Sequence, residues 1–191
     1  PHDADTIIVG TKTGLFVSNN AGTDWTGPCF TNAFSSQRQD ITGLIVQDAG
    51  GGVARLITAV GTRGLPTPVQ PDLANLGANG VYSAILPATG CPATGDWTLL
   101  NNGWPAGTGN GDPAGKNLGR IEIADAPGNP QILYAMGANA TNSSVLGVWR
   151  SDDGGDSWSL PGDGMTSRNV EWIVVDPSDA TSVWAGSGGI W

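Results

Sequence analysis

The strongest constraint on this chain is that its most chemical-looking stretch occurs more than once. Residues 150–158 read RSDDGGDSW, with three aspartates and two glycines between a serine and a tryptophan. Residues 17–26, VSNNAGTDWT, carry Ser18, Asn20, Gly22 and Trp25 at the offsets of Ser151, Asp153, Gly155 and Trp158. A degraded copy lies in YSAILPATGCPATGDW, where Ser83 follows an aromatic residue but an insertion separates it from Gly95 and Trp97. Chemistry is normally placed at one position, whereas an element that recurs belongs to the architecture.

Each copy follows a glycine, an apolar residue and an aromatic: Gly14-Leu15-Phe16, Gly80-Val81-Tyr82 and Gly147-Val148-Trp149, with the triplet returning at Gly189-Ile190-Trp191. Upstream lie two further strand patterns, alternating or fully apolar. One reads ITGLIVQD, LGRIEIAD and VEWIVVD; the other reads DTIIVG, RLITAVG, QILYAMG and SVWAG. Lettered A to D in chain order, the strands run BCD, ABCD, ABCD, ABC. Pro1 and Pro177 share one phase, so the repeat is about 59 residues long, and strands 5–10 and 182–186 are expected at equivalent B positions.

Antiparallel four-stranded units of this size build propellers, which close with four to eight blades. The predicted fold class is therefore all-β: antiparallel four-stranded blades of a β-propeller, two full and two partial. The expected boundaries are a partial blade at 1–30, blades at 31–100 and 101–160, and a partial blade at 161–191. An unfinished ring exposes strand edges and is a pairing hazard. Further blades or other chains are expected to complete it, and Pro1 in place of Met reads as a processed terminus or a cut inside a longer chain.

Composition supports the class and narrows the partners. Thirty glycines and thirteen prolines, with 39% apolar and 13% charged residues, describe a turn-dense globular chain. The net charge of −9 repels phosphate backbones and anionic membrane surfaces, so no nucleic acid is expected. Apolar runs such as WIVV fall far short of the roughly 20 residues of a membrane helix, so no membrane insertion is expected. With one histidine, His2, and two cysteines outside any CxxC spacing, no metal site and no cofactor is expected.

The repeated stretch carries a resemblance. Ser151-Asp152-Asp153-Gly154-Gly155-Asp156-Ser157-Trp158 resembles the Asp-box, or bacterial neuraminidase repeat, Ser-x-Asp-x-Gly-x-Ser/Thr-Trp. The first copy has Asn20 for the acid and Asp24 for the hydroxyl residue. The families that share the box include sialidases, xyloglucan-active glycoside hydrolases, sortilin-type receptors and photosystem assembly propellers. The resemblance implies a β-hairpin between strands C and D at the blade periphery, and it implies fold rather than function.

The residues themselves give the same placement. An Asp or Asn side chain accepts hydrogen bonds from N–H groups ahead of it, and Gly22 and Gly155 supply a positive φ. Ser18, Asn20, Gly22, Trp25, Ser151, Asp153, Gly155, Ser157 and Trp158 thus read as structural. Asp153 reads as a turn clamp and not a catalytic acid or a calcium ligand, since calcium takes six or more oxygens. Trp25, Trp97 and Trp158, at one D-strand phase, are all expected to be buried.

Function is expected where the repeats differ. In such a meander the A–B and C–D turns share one face, and the long B–C and D–A loops share the other. Candidate ligand or partner residues on the long-loop face are Trp104, Arg38, Arg63, Asp112 and Lys116, with protein or glycan as the partner. Trp104 has no repeat counterpart, so its ring either stacks on a sugar or a partner's pocket, or folds onto its own loop. Asn139-Ala140-Thr141 and Asn142-Ser143-Ser144 are glycosylation sequons.

Glycoside hydrolysis usually needs two flanking carboxyl groups. The chain has two glutamates, Glu122 and Glu171, both in A strands that line the ring's axis. Sialidase resemblance calls for an arginine triad, and Arg38, Arg63, Arg120 and Arg168 are present without the N-terminal arginine motif. The aspartate that xyloglucanase-like enzymes carry in an early B–C region has no counterpart in AMGANATN or AVGTRG. No catalytic residue is assigned. The sequence points to an exported or surface-exposed binding or assembly module, extracellular or at the cell surface with the periplasm as a variant; the alternative is a portion of a glycoside hydrolase. Whether Cys29 and Cys91 pair is left open, because a bridge requires the insertion before Trp97 to fold back from the nominally opposite face.

Overall fold

The computed structural model describes residues 4–29, 40–61, 79–104, 118–139, 142–162 and 170–187. The first sheet holds β1 (Ile7–Thr11), β2 (Gly14–Ser18) and β3 (Thr26–Cys29). The second holds β4 (Ile41–Gly50), β5 (Val53–Val60), β6 (Gly80–Ile85) and β7 (Thr98–Leu99). The third holds β8 (Leu118–Ala126), β9 (Asn129–Asn139), β10 (Val145–Ser151) and β11 (Ser159–Gly162); the fourth holds β12 (Val170–Asp176) and β13 (Asp179–Ser187). All pairings are antiparallel between chain neighbours, so each sheet is a meander. The strands follow BCD, ABCD, ABCD and AB, and residues 188–191, where a last C strand is expected, lie outside the described residues.

Strand alternation sends successive side chains to opposite faces, and here both faces are buried. In β5, Leu56 and Val60 join a cluster with Leu15 and Val17 of the first sheet, while Ile57 and Ala59 join one with Leu133 and Ala135 of the third. In β9, Tyr134 and Met136 turn the other way onto Ile173 and Val175 of the fourth sheet. Each fully buried branched side chain contributes about 1.5–3 kcal/mol. Three such junctions hold the four sheets in a row.

The end sheets reveal the same code by its failure. Ile7 pairs with Ser18 as Leu133 pairs with Ser151, yet Ile7 is 38% exposed and Leu133 1%. Val9 on the first sheet and Trp172, Val174 and Trp184 on the fourth are exposed in the same way. The expected burial of Trp25 is therefore corrected: it is 45% exposed, against 6% for Trp158. Trp158 lies under Leu100 and Trp104 of the preceding sheet, and no described sheet precedes Trp25. Trp97 is half-buried in the first junction.

Cys29 and Cys91 form a disulfide, with Cα atoms 5.4 Å apart. The insertion does fold back. Leu86 continues β6 by donating its N–H to Ala54 O at 2.9 Å, and the Gly90 N–H reaches Asn19 Oδ1 of the first sheet at 2.8 Å. Cys91 then meets the end of β3, and the bridge closes a loop with a sequence separation of 62. A loop of that length stabilises by about 4 kcal/mol in the chain-entropy account.

Trp158→Ala is expected to cost about 3–5 kcal/mol through lost burial and cavity formation, and Trp25→Ala about 1 kcal/mol or less. Urea unfolding of both variants checks this; equal losses would mean that the two tryptophans sit in equivalent environments.

Candidate functional site

The hairpin at residues 151–158 is a closed hydrogen-bond system. Ser151 Oγ accepts the N–H groups of Asp153 (3.3 Å) and Gly155 (2.8 Å) and donates to Asp153 Oδ1 at 2.7 Å. That oxygen also accepts the Ser157 N–H at 2.8 Å, and Ser157 Oγ donates to Asp153 Oδ2. The hairpin at 18–25 repeats the pattern: Ser18 Oγ accepts from Asn20 and Gly22, and Asn20 Oδ1 accepts the Asp24 N–H at 2.8 Å. The last bond runs in reverse, with Asn20 Nδ2 donating to Asp24 Oδ2 at 2.9 Å. Replacing acid and hydroxyl by amide and acid exchanges donor and acceptor and leaves the turn unchanged.

Gly155 and Gly22 sit at φ 97° and 85°. This is the left-handed region where a side chain is strained. The hydroxyl of Ser157, its N–H and the hydroxyl of Ser151 hold the Asp153 carboxyl below the usual carboxylate range. Both of its oxygens serve the turn. Among the described residues, no group of three or more His, Cys, Asp or Glu side chains is placed to hold a metal.

Trp104 is corrected from a ligand-face residue to a core residue. It is 4% exposed, packs edge-on to Trp149 with ring centroids 4.2 Å apart, and lies 5.7 Å from the Trp158 ring. Residues 101–104 turn back over the third sheet, and Asn102 O accepts the Trp158 N–H at 2.8 Å. A Cβ on Gly103 would lie 2.1 Å from Trp158 O, so only glycine permits that approach. Arg38, Arg63, Asp112 and Lys116 lie outside the described residues. Asn142 is exposed, and its Oδ1 accepts from the Ser144 N–H and Oγ; Asn139 is half-buried at the end of β9, with its N–H on Ser144 O.

Polar groups on the innermost strands stitch the sheets together. The Thr42 hydroxyl of β4 donates to Ile121 O of β8 at 2.5 Å and accepts from Ile121 N–H at 3.3 Å. Arg120 grips Glu122 at 2.6 Å and donates to Glu171 O of β12 at 3.1 Å.

A cleft of about 390 Å³ opens between the first and second sheets, a feature that the repeat pattern did not announce. Thr6, Ile8 and Asn19 line one side and Val46, Val53 and Leu86 the other, and among the described residues no charged side chain takes part. Asn19 Nδ2 donates to Thr6 Oγ1 at 3.3 Å. The disulfide-tied insertion forms its outer wall. The cysteine pair was the sequence signal that could have placed that wall.

No protein-family model matches the sequence, and no curated protein does. Solved structures match by shape. An ancestral GH74 enzyme aligns with 97% of this chain at a TM-score of 0.56 and 19% identity, and the GH74 xyloglucanase from Xanthomonas campestris with 96% at 0.52 and 18%. This chain spans 20% and 24% of those two chains. It is part of a β-propeller. Identities this low carry the propeller fold and leave the activity of those enzymes with them.

Two expectations follow for the site residues. Trp104→Ala should destabilise the chain by about 3–5 kcal/mol, as a core truncation does, measured by thermal or urea unfolding; a near-neutral change would restore it to the surface. Asp153 contributes stability that is present above its unfolded pKa, about 3.9, and lost as pH falls through its lower folded value. Asp176, held down by Ser178, and Asp179, held down by Thr181 and Ser182, act in the same sense. Asp153→Asn keeps the Oδ1 acceptor, as Asn20 does, so it should preserve stability near pH 7 and flatten the decline below about pH 4. Thermal melts between pH 2 and 7 test this, and an unchanged acid limb would count against the clamp.

Proposed function

We propose that this chain is a segment of an exported or surface-exposed, non-catalytic β-propeller that binds protein or carbohydrate through its long-loop face or builds an assembly. The observation that carries the reading is the pair of uncovered apolar faces on the end sheets. Ile7, Val9 and Trp25 face one way and Trp172, Val174 and Trp184 the other, whereas the equivalents Leu133 and Ala135 are buried. Further blades or other chains cover these faces in the complete propeller. The two serine-anchored hairpins are read as Asp-boxes, with Asp153 and Asn20 as turn clamps. A disulfide persists in oxidising compartments, which favours export.

A second reading has its own support. The shape similarity to a GH74 xyloglucanase favours a portion of a glycoside hydrolase. Such enzymes usually need two carboxyl groups about 5–10 Å apart across the scissile bond. Of the two glutamates, Glu122 is committed to Arg120, so an acid and base would come partly from outside this segment.

A panel of plant and bacterial glycans, assayed for binding and for release of reducing ends with the complete protein, separates the two. Saturable binding without turnover is expected. Turnover that disappears in carboxylate variants would overturn the non-catalytic reading. For the isolated segment, sedimentation should show concentration-dependent association that Val9→Lys and Trp184→Lys reduce, and a strict monomer would argue against the uncovered faces as contact surfaces.

A further inference from the structure

The sequons Asn139-Ala140-Thr141 and Asn142-Ser143-Ser144 adjoin in the loop between β9 and β10, and the fold treats their asparagines differently. The loop is closed at its base by the Asn139 N–H on Ser144 O at 2.8 Å and by the Ser143 N–H on Asn139 O at 2.9 Å. Asn139 therefore ends the strand with both main-chain groups bonded. Its Oδ1 accepts the Asn142 N–H at 3.3 Å, and the residue is half-buried.

Asn142 lies in the turn of the same loop and is exposed. Its Oδ1 accepts the Ser144 N–H at 2.9 Å and the Ser144 hydroxyl at 2.7 Å. Ser143, at φ 60°, takes the left-handed conformation that folds Ser144 back onto this side chain. The oxygen and nitrogen of a planar amide lie on opposite sides of Cγ, so turning Oδ1 onto the loop directs Nδ2 away from it. Nδ2 carries no hydrogen bond among the described residues.

We infer that Asn142 is an N-glycan acceptor and that Asn139 is not. An N-linked glycan needs the Asn-x-Ser/Thr sequence and, being bulky and solubilising, a surface loop to carry it. Asn142 meets both conditions; Asn139 meets only the first, because its side chain is half-buried and bonded into the loop. The donor is a lipid diphosphate-linked oligosaccharide. Nδ2 bonds to the anomeric carbon, the bond from that carbon to the diphosphate oxygen breaks, the lipid diphosphate leaves, and one amide proton passes to the transferase's base. Transfer acts on the emerging chain, and secreted protein retains only a glycan that the folded loop can carry. The loop belongs to the long-loop face, so the glycan stands beside whatever that face binds. The inference rests on the proposed export, since transfer takes place in a secretory lumen.

The test is the chain secreted from a eukaryotic host behind a supplied leader, with the Cys29–Cys91 bridge verified. Peptide N-glycosidase in heavy-oxygen water converts each glycosylated Asn to a labelled Asp, which peptide mapping locates. A label at Asn142 and none at Asn139 is expected, with one glycan on the intact mass. Asn142→Gln and Ser144→Ala should each abolish it, and Asn139→Gln should leave it unchanged. Where secretion is poor, the chain retained in the secretory lumen is mapped in the same way. Because the leader supplies delivery, failure here leaves the export reading standing. An unmodified Asn142 in the disulfide-bonded chain, a label at Asn139, or a glycan that survives in Asn142→Gln would each overturn the assignment.

Discussion

Every sheet between two others in this chain buries both of its faces, and the rest of the structure follows from that requirement. A strand with two buried faces has no polar side, which is why β5 and β9 read as nearly continuous apolar runs rather than as alternations. Burial on both sides also makes each sheet depend on the next. The first and fourth sheets have one covered face each, and their free faces carry tryptophan, isoleucine and valine that are half exposed. Stability in such an array is a sum of sheet and neighbour terms, so its ends are its weakest points.

The serine-anchored hairpins serve that packing. A tight turn between C and D brings the following tryptophan back against the preceding sheet, and the hydroxyl and Asx side chain satisfy N–H groups that no strand ladder reaches. The two hairpins solve the turn with opposite chemistry at their fourth bond: a hydroxyl gives to a carboxylate in one, and an amide gives to a carboxylate from the other side in the second. What must be kept is one donor facing one acceptor across the turn. In the second sheet this turn is replaced by the longer insertion, where a 3-10 turn at Thr94–Asp96 has Asp96 accepting the Ala93 N–H at 2.9 Å. Its anchorage comes instead from the covalent bond to Cys29.

Much of the fold was legible in the sequence because a repeat is a local signal. The strand patterns, the order BCD, ABCD, ABCD, and the hairpins around Asp153 and Asn20 follow from spacing and residue type. Trp104 shows where this reasoning ends. It stands outside the repeated strand positions and so looks like a loop residue free for binding. It is a core residue because Asn101 to Trp104 turns back over the next sheet, bringing its ring onto Trp149 and Trp158. Trp25 errs in the opposite direction, having the hairpin phase of Trp158 without the neighbour that buries it.

By itself, then, the sequence determined the strands, their order within each sheet and the turns between C and D, since these depend on residues close together in the chain. Tertiary structure alone decided the Cys29–Cys91 bridge, the burial of Trp104 and the exposure of Trp25, because each depends on which segment of an adjoining sheet arrives beside it. The cleft is of the same kind. Ile8 and Val53 are ordinary strand residues in the sequence, and only the packing of the first sheet beside the second brings them to one cleft. Hydrogen-bonded turns are local and can be read along the chain, whereas the fit between two sheets is a property of both surfaces together.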